Sequence, residues 1–185
     1  VNLMTSGFGI SHSEVTTAQT GYLHGVQLWV VLPEHAKDMA RGFQHHRPDV
    51  VDIPGGTARV MVGDLAGVSS PIVTETGLLG AEVILRPGQE WEFEVSRGFE
   101  HGVLVDVGAV EVDGVLIGKD AMGVRDAGLG HLRLRNPTDR DARLILLGGE
   151  PFEEGIVMWW NFIGRSHEEI VELREAWQTG DDRFG

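Results

Sequence analysis

Glycine falls 26 times in this 185-residue chain, spread between short runs of valine, isoleucine and leucine instead of gathering in one linker. Long helices do not tolerate such punctuation, because a glycine inside a helix costs about 1 kcal/mol relative to alanine. Short strands joined by turns do, so the pattern is that of an all-β chain. It predicts strands at Val26–Leu32, Ala58–Gly63, Ala81–Leu85, Gly102–Val107, Ala109–Val112, Val115–Gly118, His131–Arg135 and Arg143–Leu147. Asp113-Gly114, between two valine-rich runs, has the composition of a two-residue type I′ hairpin, and Asn136-Pro137-Thr138-Asp139 supplies a second turn. In the alternating run Trp91–Val95, Glu92 and Glu94 share a polar face.

Helix signals are few. Pro33–Ala40 reads as a short helix with proline in its first turn. Ser166-His167-Glu168-Glu169 has the spacing of a capping box; Ile170, Leu173 and Trp177 then recur on one face, and Gly180 stands just past the end. That helix is expected to pack against the β body. The stretch Gly67–Gly77, rich in Gly, Ser, Pro and Thr, interrupts the strand pattern and is read as a domain boundary.

Charge and composition then exclude whole classes of function. Twenty-eight acidic against fifteen basic residues give a net charge of −13, which repels polyphosphate, so no direct nucleic-acid partner is expected. The chain has no cysteine. Disulfides, thiolate metal sites and cysteine nucleophiles are thereby removed, and a reducing, cytoplasmic location is expected. No apolar run approaches the ~20 residues of a membrane span, and there is no signal-peptide pattern, so no membrane partner is expected. Serine-hydrolase elbows, phosphate loops and dinucleotide fingerprints are also missing.

Any metal must therefore be held by histidine and carboxylate. His12 and Glu14 are two apart, and on a strand such residues point to one face. An imidazole with a carboxylate suits non-haem Fe(II), Mn, Ni or Zn, although two ligands alone make a weak site and a plain surface pair has the same spacing. His24 either lines a pocket beside His12 or hydrogen-bonds the backbone. His45-His46 lies in a polar loop, where adjacent side chains point apart. His101 stands near Glu94 and Glu100, but the polar-face reading of Glu92 and Glu94 is simpler than a second cluster. Trp159, Trp160 and Phe162 read as interdomain core.

The segment Leu3-Met4-Thr5-Ser6-Gly7-Phe8-Gly9-Ile10-Ser11-His12-Ser13-Glu14 and the run Gly25-Val26-Gln27-Leu28-Trp29-Val30 resemble the W-M-T-A-G-x-G-I-x-H-S-E and G-L-Q-L-W-V segments of the pirin family, a branch of the cupins. Ile53-Pro54, Gly63-Asp64 with Gly67, Ser70-Pro71, Gly148-Gly149-Glu150-Pro151 and Glu168-Glu169-Ile170 follow in the family's order. The resemblance implies an all-β bicupin of two double-stranded β-helix barrels with a short C-terminal helix, this chain starting inside the first barrel. Residues 1–66 would be the remainder of an N-terminal metal-type cupin domain, 67–77 a linker, 78–150 a degenerate second cupin, and 151–185 an interdomain tail and helix.

The resemblance also implies a ligand set. Pirins hold a divalent metal, typically Fe(II), with an H-P-H-R-G segment and the H-S-E segment; the latter maps onto His12 and Glu14, with Glu14 also the candidate catalytic proton acceptor and Met4 and His24 on the pocket wall. The H-P-H-R-G segment is not in this sequence. Metal is therefore expected to be weakly held or absent in this chain alone, and the edge of Gly25–Leu32 is expected to seek an N-terminal fragment or a neighbouring chain. In the second barrel Glu94-Val95-Ser96-Arg97-Gly98-Phe99-Glu100 resembles H-P-H-R-G-F-E with Glu94 and Ser96 in the histidine places, which implies a metal-free domain. Leu3 and Met158–Phe162 depart from the family pattern near the expected pocket. The implied function is a quercetin 2,3-dioxygenase-type oxygenase acting on a flavonol-like small molecule; the alternative is a metal-dependent, redox-responsive regulator that binds a protein partner.

Overall fold

The computed structural model describes residues 1–16 and 21–184. Their contacts fall into a larger unit, Val1–Leu3 with Gln44–Phe152, and a smaller one, Met4–Phe43 with Glu153–Gly185. The strands in chain order are β1 (Asn2–Thr5), β2 (Gly42–His45), β3 (Val51–Ile53), β4 (Gly56–Val62), β5 (Asp64–Leu65), β6 (Val68–Ser69), β7 (Leu78–Leu85), β8 (Glu90–Glu94), β9 (Glu100–Val107), β10 (Ala109–Val112), β11 (Val115–Gly118), β12 (Met122–Arg125), β13 (His131–Arg135), β14 (Ala142–Gly149), β15 (Val157–Trp159) and β16 (Phe162–Gly164), followed by α1 (His167–Thr179).

Period-two alternation builds the larger unit. A six-stranded sheet in the order β12-β9-β14-β7-β4-β3 and a four-stranded sheet in the order β11-β10-β13-β8 are antiparallel at every pair and enclose one core. Val83 and Leu85 of β7, Val105 of β9, Leu144 and Leu146 of β14 and Leu132 and Leu134 of β13 are completely buried. Each such side chain contributes about 1.5–3 kcal/mol relative to leaving it in water. This is the cupin sheet pair with a C-terminal helix that the family resemblance implies.

Every expected strand from Ala58 onward forms, three of them with the expected ends. Asp113 and Gly114 both have positive φ, 48° and 85°, and join Val112 to its partner Val115, as a I′ hairpin requires. Asn136 is fully buried and earns its place as a clamp: its Nδ2 donates to the carbonyls of Leu85 and Arg140 while its Oδ1 accepts from the backbone N–H and the hydroxyl of Thr138. Glu92 and Glu94 are exposed with Trp91 buried between the acidic positions of β8, the polar face expected.

One expectation changes in this unit. The proposed boundary at Gly67–Gly77 is a connection inside one sheet, because β4 before it and β7 after it pair from Gly56↔Leu85 to Val62↔Gly80. Local composition marks a break in regular structure and carries no information about which strands meet on either side. His101, meanwhile, is buried inside the sheet pair whereas Glu94 and Glu100 are exposed, so the three form no cluster.

The smaller unit has little regular structure. Ser166 caps α1, its hydroxyl accepting from the Glu169 N–H at 3.1 Å, and Gly180 ends it in the left-handed region at φ 73°. The second half of the capping box is displaced by one residue, since the Glu169 carboxylate accepts from the Arg165 N–H. The helix packs on the β15–β16 hairpin; Ile170 is buried, Leu173 half-buried, and Trp177 stands edge-on to Phe184. Arg165 binds together distant segments, donating to the Leu32 carbonyl and the Glu154 carboxylate, which also accepts from the Glu34 N–H.

Three expectations are corrected here. Val26–Leu32 is not a strand, because no segment among the described residues pairs with it, and Leu28 and Trp29 are exposed. Pro33–Ala40 forms turns closed by the bonds Ala36 N–H to Pro33 O and Met39 N–H to Ala36 O, three-residue steps that never become an α-helix. Trp159 and Trp160 are exposed instead of lying in a core.

Candidate metal centre

The residues leading to His12 and Glu14 are held by close backbone approach. After β1 the chain turns at Gly7, where φ is 51° and a Cβ would lie 2.0 Å from the Met39 carbonyl oxygen, so no other residue fits without moving that backbone. The Phe8 N–H donates to the same carbonyl, and the Arg41 guanidinium lies over the Phe8 ring. Farther on, the Ser11 N–H and hydroxyl both donate to the Phe184 carbonyl, at 2.8 and 3.0 Å, and Arg183 Nε donates to the Phe8 carbonyl. Ser6–Ser11 is thus fastened to residues 39–41 and 183–184. No local signal marks Arg183 or Phe184 as partners of this segment, since 173 positions separate Ser11 from Phe184.

Beyond that fastening, the expected geometry does not appear. His12 and Glu14 lie in extended or irregular chain without strand pairing, and both are exposed. A common face for residues two apart requires a strand, and a strand needs a neighbour to bond. Met4 is exposed on β1, and His24 is exposed with its ring stacked beside Tyr22 at 6.2 Å between centroids. Among the described residues no three His, Asp or Glu side chains gather closely enough to hold a metal. His12 and Glu14 are donors of the right kind for a divalent non-haem metal but too few, so the described residues do not by themselves make a complete site.

The other histidine of interest, His101, is a chemically different case. It lies on β9 opposite Arg125 of β12 and Gly148 of β14, and its Nε2 is buried with no hydrogen-bond partner among the described residues. Burial holds its pKa below the usual 6.5, and the Arg125 charge pushes in the same direction. A lone neutral imidazole facing a guanidinium is not a metal site.

Comparison with known proteins places these observations. Residues 80–185 match the pirin C-terminal cupin domain, and residues 1–30, which contain His12 and Glu14, match the pirin domain. A Pseudomonas aeruginosa protein named "Putative quercetin 2,3-dioxygenase" is 38% identical over the whole of this chain, and rat pirin is 27% identical over 91% of it. The chain spans 58% of the length of the first and 60% of the second. A crystal structure of quercetin 2,3-dioxygenase from Acinetobacter baumannii superposes with a TM-score of 0.91 and 37% identity, covering all of this chain and 61% of that one. The paired antiparallel sheets, the H-S-E segment and matches over the greater part of the sequence lead to one conclusion: this chain belongs to the pirin family of cupin proteins.

Proposed function

We propose that the protein is an oxygenase of the quercetin 2,3-dioxygenase type, opening a flavonol-like substrate with a divalent non-haem metal. The observation that carries this reading is the 38% identity, over the whole chain, to a relative bearing that activity in its name. His12 and Glu14 are assigned as two of the metal ligands, with the other donors in the part of the relatives' length that this chain does not match. Glu14 has a second role: its carboxylate takes the proton of the substrate hydroxyl, an exchange that needs no group beyond an ionised carboxylate within hydrogen-bond reach. His12 serves as a neutral imidazole and Met4 and His24 form part of the substrate wall. The larger unit, with its filled core, is a scaffold in this reading and not a second reaction centre.

The test uses protein extended to the length of its relatives, reconstituted with ferrous iron under argon and mixed with aerated quercetin. Iron-dependent loss of the flavonol absorbance, abolished in Glu14→Gln and His12→Ala, is the expected result. Stoichiometric bound iron with no turnover of quercetin or related flavonols would overturn the enzyme reading and turn attention to protein partners. The 185-residue chain alone is expected to give up its iron on dialysis against a chelator.

A further inference from the structure

The segment that carries His12 and Glu14 rests on a turn far away in sequence. Asp182–Phe184 is a single 3₁₀ turn, and it meets residues 8–11 at three successive points. Arg183 Nε donates to the Phe8 carbonyl at 2.8 Å. Gly9 lies so close to the turn that a Cβ there would be 2.9 Å from the Arg183 carbonyl oxygen and 3.3 Å from Phe184 Cδ1, and its φ is 142°. Glycine is required there on both counts. The Ser11 N–H and hydroxyl then both donate to the Phe184 carbonyl, which uses the two lone pairs of that oxygen.

The turn is itself held in place. The Asp181 carboxylate accepts from the Arg183 N–H at 2.8 Å, and the Asp181 N–H donates to the Ala176 carbonyl near the end of α1. Behind the turn the Phe184 ring is buried, edge-on to Trp177 of α1 at 5.3 Å and to Phe162 of β16 at 6.5 Å. Among the described residues no backbone hydrogen bond holds the chain from His12 to Glu14. Ser11 is therefore the last fixed point before the two candidate ligands, one peptide unit from His12.

A ligand side chain binds a metal well when it is held near the productive geometry before the metal arrives, and removing the groups that hold it costs about 10–100-fold in metal affinity. We propose that Arg183 and Phe184 are positioning residues for the candidate metal centre. Through Phe8, Gly9 and Ser11 they fix the point and direction at which His12 and Glu14 leave the folded body. This rests on the assignment of those two side chains as ligands. It adds that two residues which supply no ligand set how tightly the metal is held.

The test uses protein extended to the length of its relatives, with Co(II) as the probe because its visible spectrum reports the arrangement of its ligands. Affinity is measured by competition with a chelator, and urea midpoints establish that each variant is folded. Arg183→Ala is expected to raise the cobalt dissociation constant about tenfold, and Gly9→Ala, which forces the turn away from the ligand segment, about a hundredfold. Both should alter the cobalt spectrum, which a loss of stability alone would not do. Ser11→Ala should weaken binding severalfold, and Ser11→Thr, which keeps the hydroxyl, should restore it. Asp182→Ala, exposed in the same turn, is expected to leave affinity and spectrum unchanged.

The proposal is overturned if Arg183→Ala and Gly9→Ala hold cobalt as tightly as wild type with the same spectrum, whatever their turnover. An equal loss in Asp182→Ala overturns it as well, as does a wild type that holds no cobalt, since the ligand assignment then falls. Tight cobalt binding that ranks the variants in the stated order, without turnover of any flavonol by the iron form, supports the proposal and overturns the oxygenase reading.

Discussion

Leu78–Leu85 and Val26–Leu32 are similar stretches of chain, both rich in aliphatic residues, and they end in opposite states. The first is a strand bonded on both sides, to β4 and β14, with Ala81, Val83 and Leu85 completely buried. The second has no partner among the described residues, and Val26, Leu28, Trp29 and Val30 face solvent. The same contrast runs through the two units. The larger one owns nearly all of the fully buried aliphatic side chains, whereas the buried apolar side chains described in the smaller one are Pro33, Ala36, Ile170 and Phe184. Apolar character supplies the drive to bury, but a strand can act on it only where another strand satisfies its backbone groups. The smaller unit compensates with polar fastenings such as the Arg165–Glu154 pair and the Ser11–Phe184 bonds.

Because of that difference, equal insults should have unequal effects. The largest is expected for Leu144→Ala, at the fully buried centre of β14, which should lose about 2–5 kcal/mol in urea unfolding. The matched truncation Trp29→Ser should stay within about 0.5 kcal/mol, the range of surface substitutions. Comparable losses at the two sites would break the comparison.

Acid should also act on the larger unit first. The fold accepts His101 as the neutral imidazole, while the unfolded chain takes up its proton near the ordinary 6.5, so the unfolded state binds more protons at low pH. Stability from this residue is therefore complete above about pH 6.5 and is lost as pH falls towards the depressed folded value, by no more than about 1.4 kcal/mol per pH unit for one proton. Unfolding midpoints measured from pH 7.5 to 5.5 check this, with His101→Gln expected to flatten the profile over that window. An unchanged slope would remove His101 as the cause.

Polar fastenings in the smaller unit should give smaller, local effects. Arg165→Ala should cost about 1–2 kcal/mol there, since a partly exposed charged donor leaves the Leu32 carbonyl and Glu154 to water. Hydrogen exchange should speed up near residues 32–37 and leave β7, β9 and β14 unchanged. Ser166→Ala, which removes the cap of α1, should cost about 1 kcal/mol and show as faster exchange in the first turn of that helix alone. Slower protection loss in the smaller unit than in the larger would reverse the comparison.

Where local chemistry settles a structure, the sequence alone was enough. Asp113-Gly114 demands two positive φ values in succession, and the hairpin there has them; Ser166 and Gly180 mark the two ends of α1; the glutamates of β8 alternate out to solvent. The segments Leu3–Glu14 and Gly25–Val30 likewise carry the family resemblance in the amino-acid order itself. Two further features could not be read in this way. Nothing near Gly67–Gly77 says that β4 and β7 will pair across it, and nothing near His12 says that the chain will be fastened to Phe184 and leave the histidine exposed. The physical reason is range. Turns, caps and alternation depend on atoms a few residues apart, and the amino-acid order contains those directly. A strand or a metal site depends on groups brought together from far along the chain, and only tertiary structure decides which partners are present to complete it.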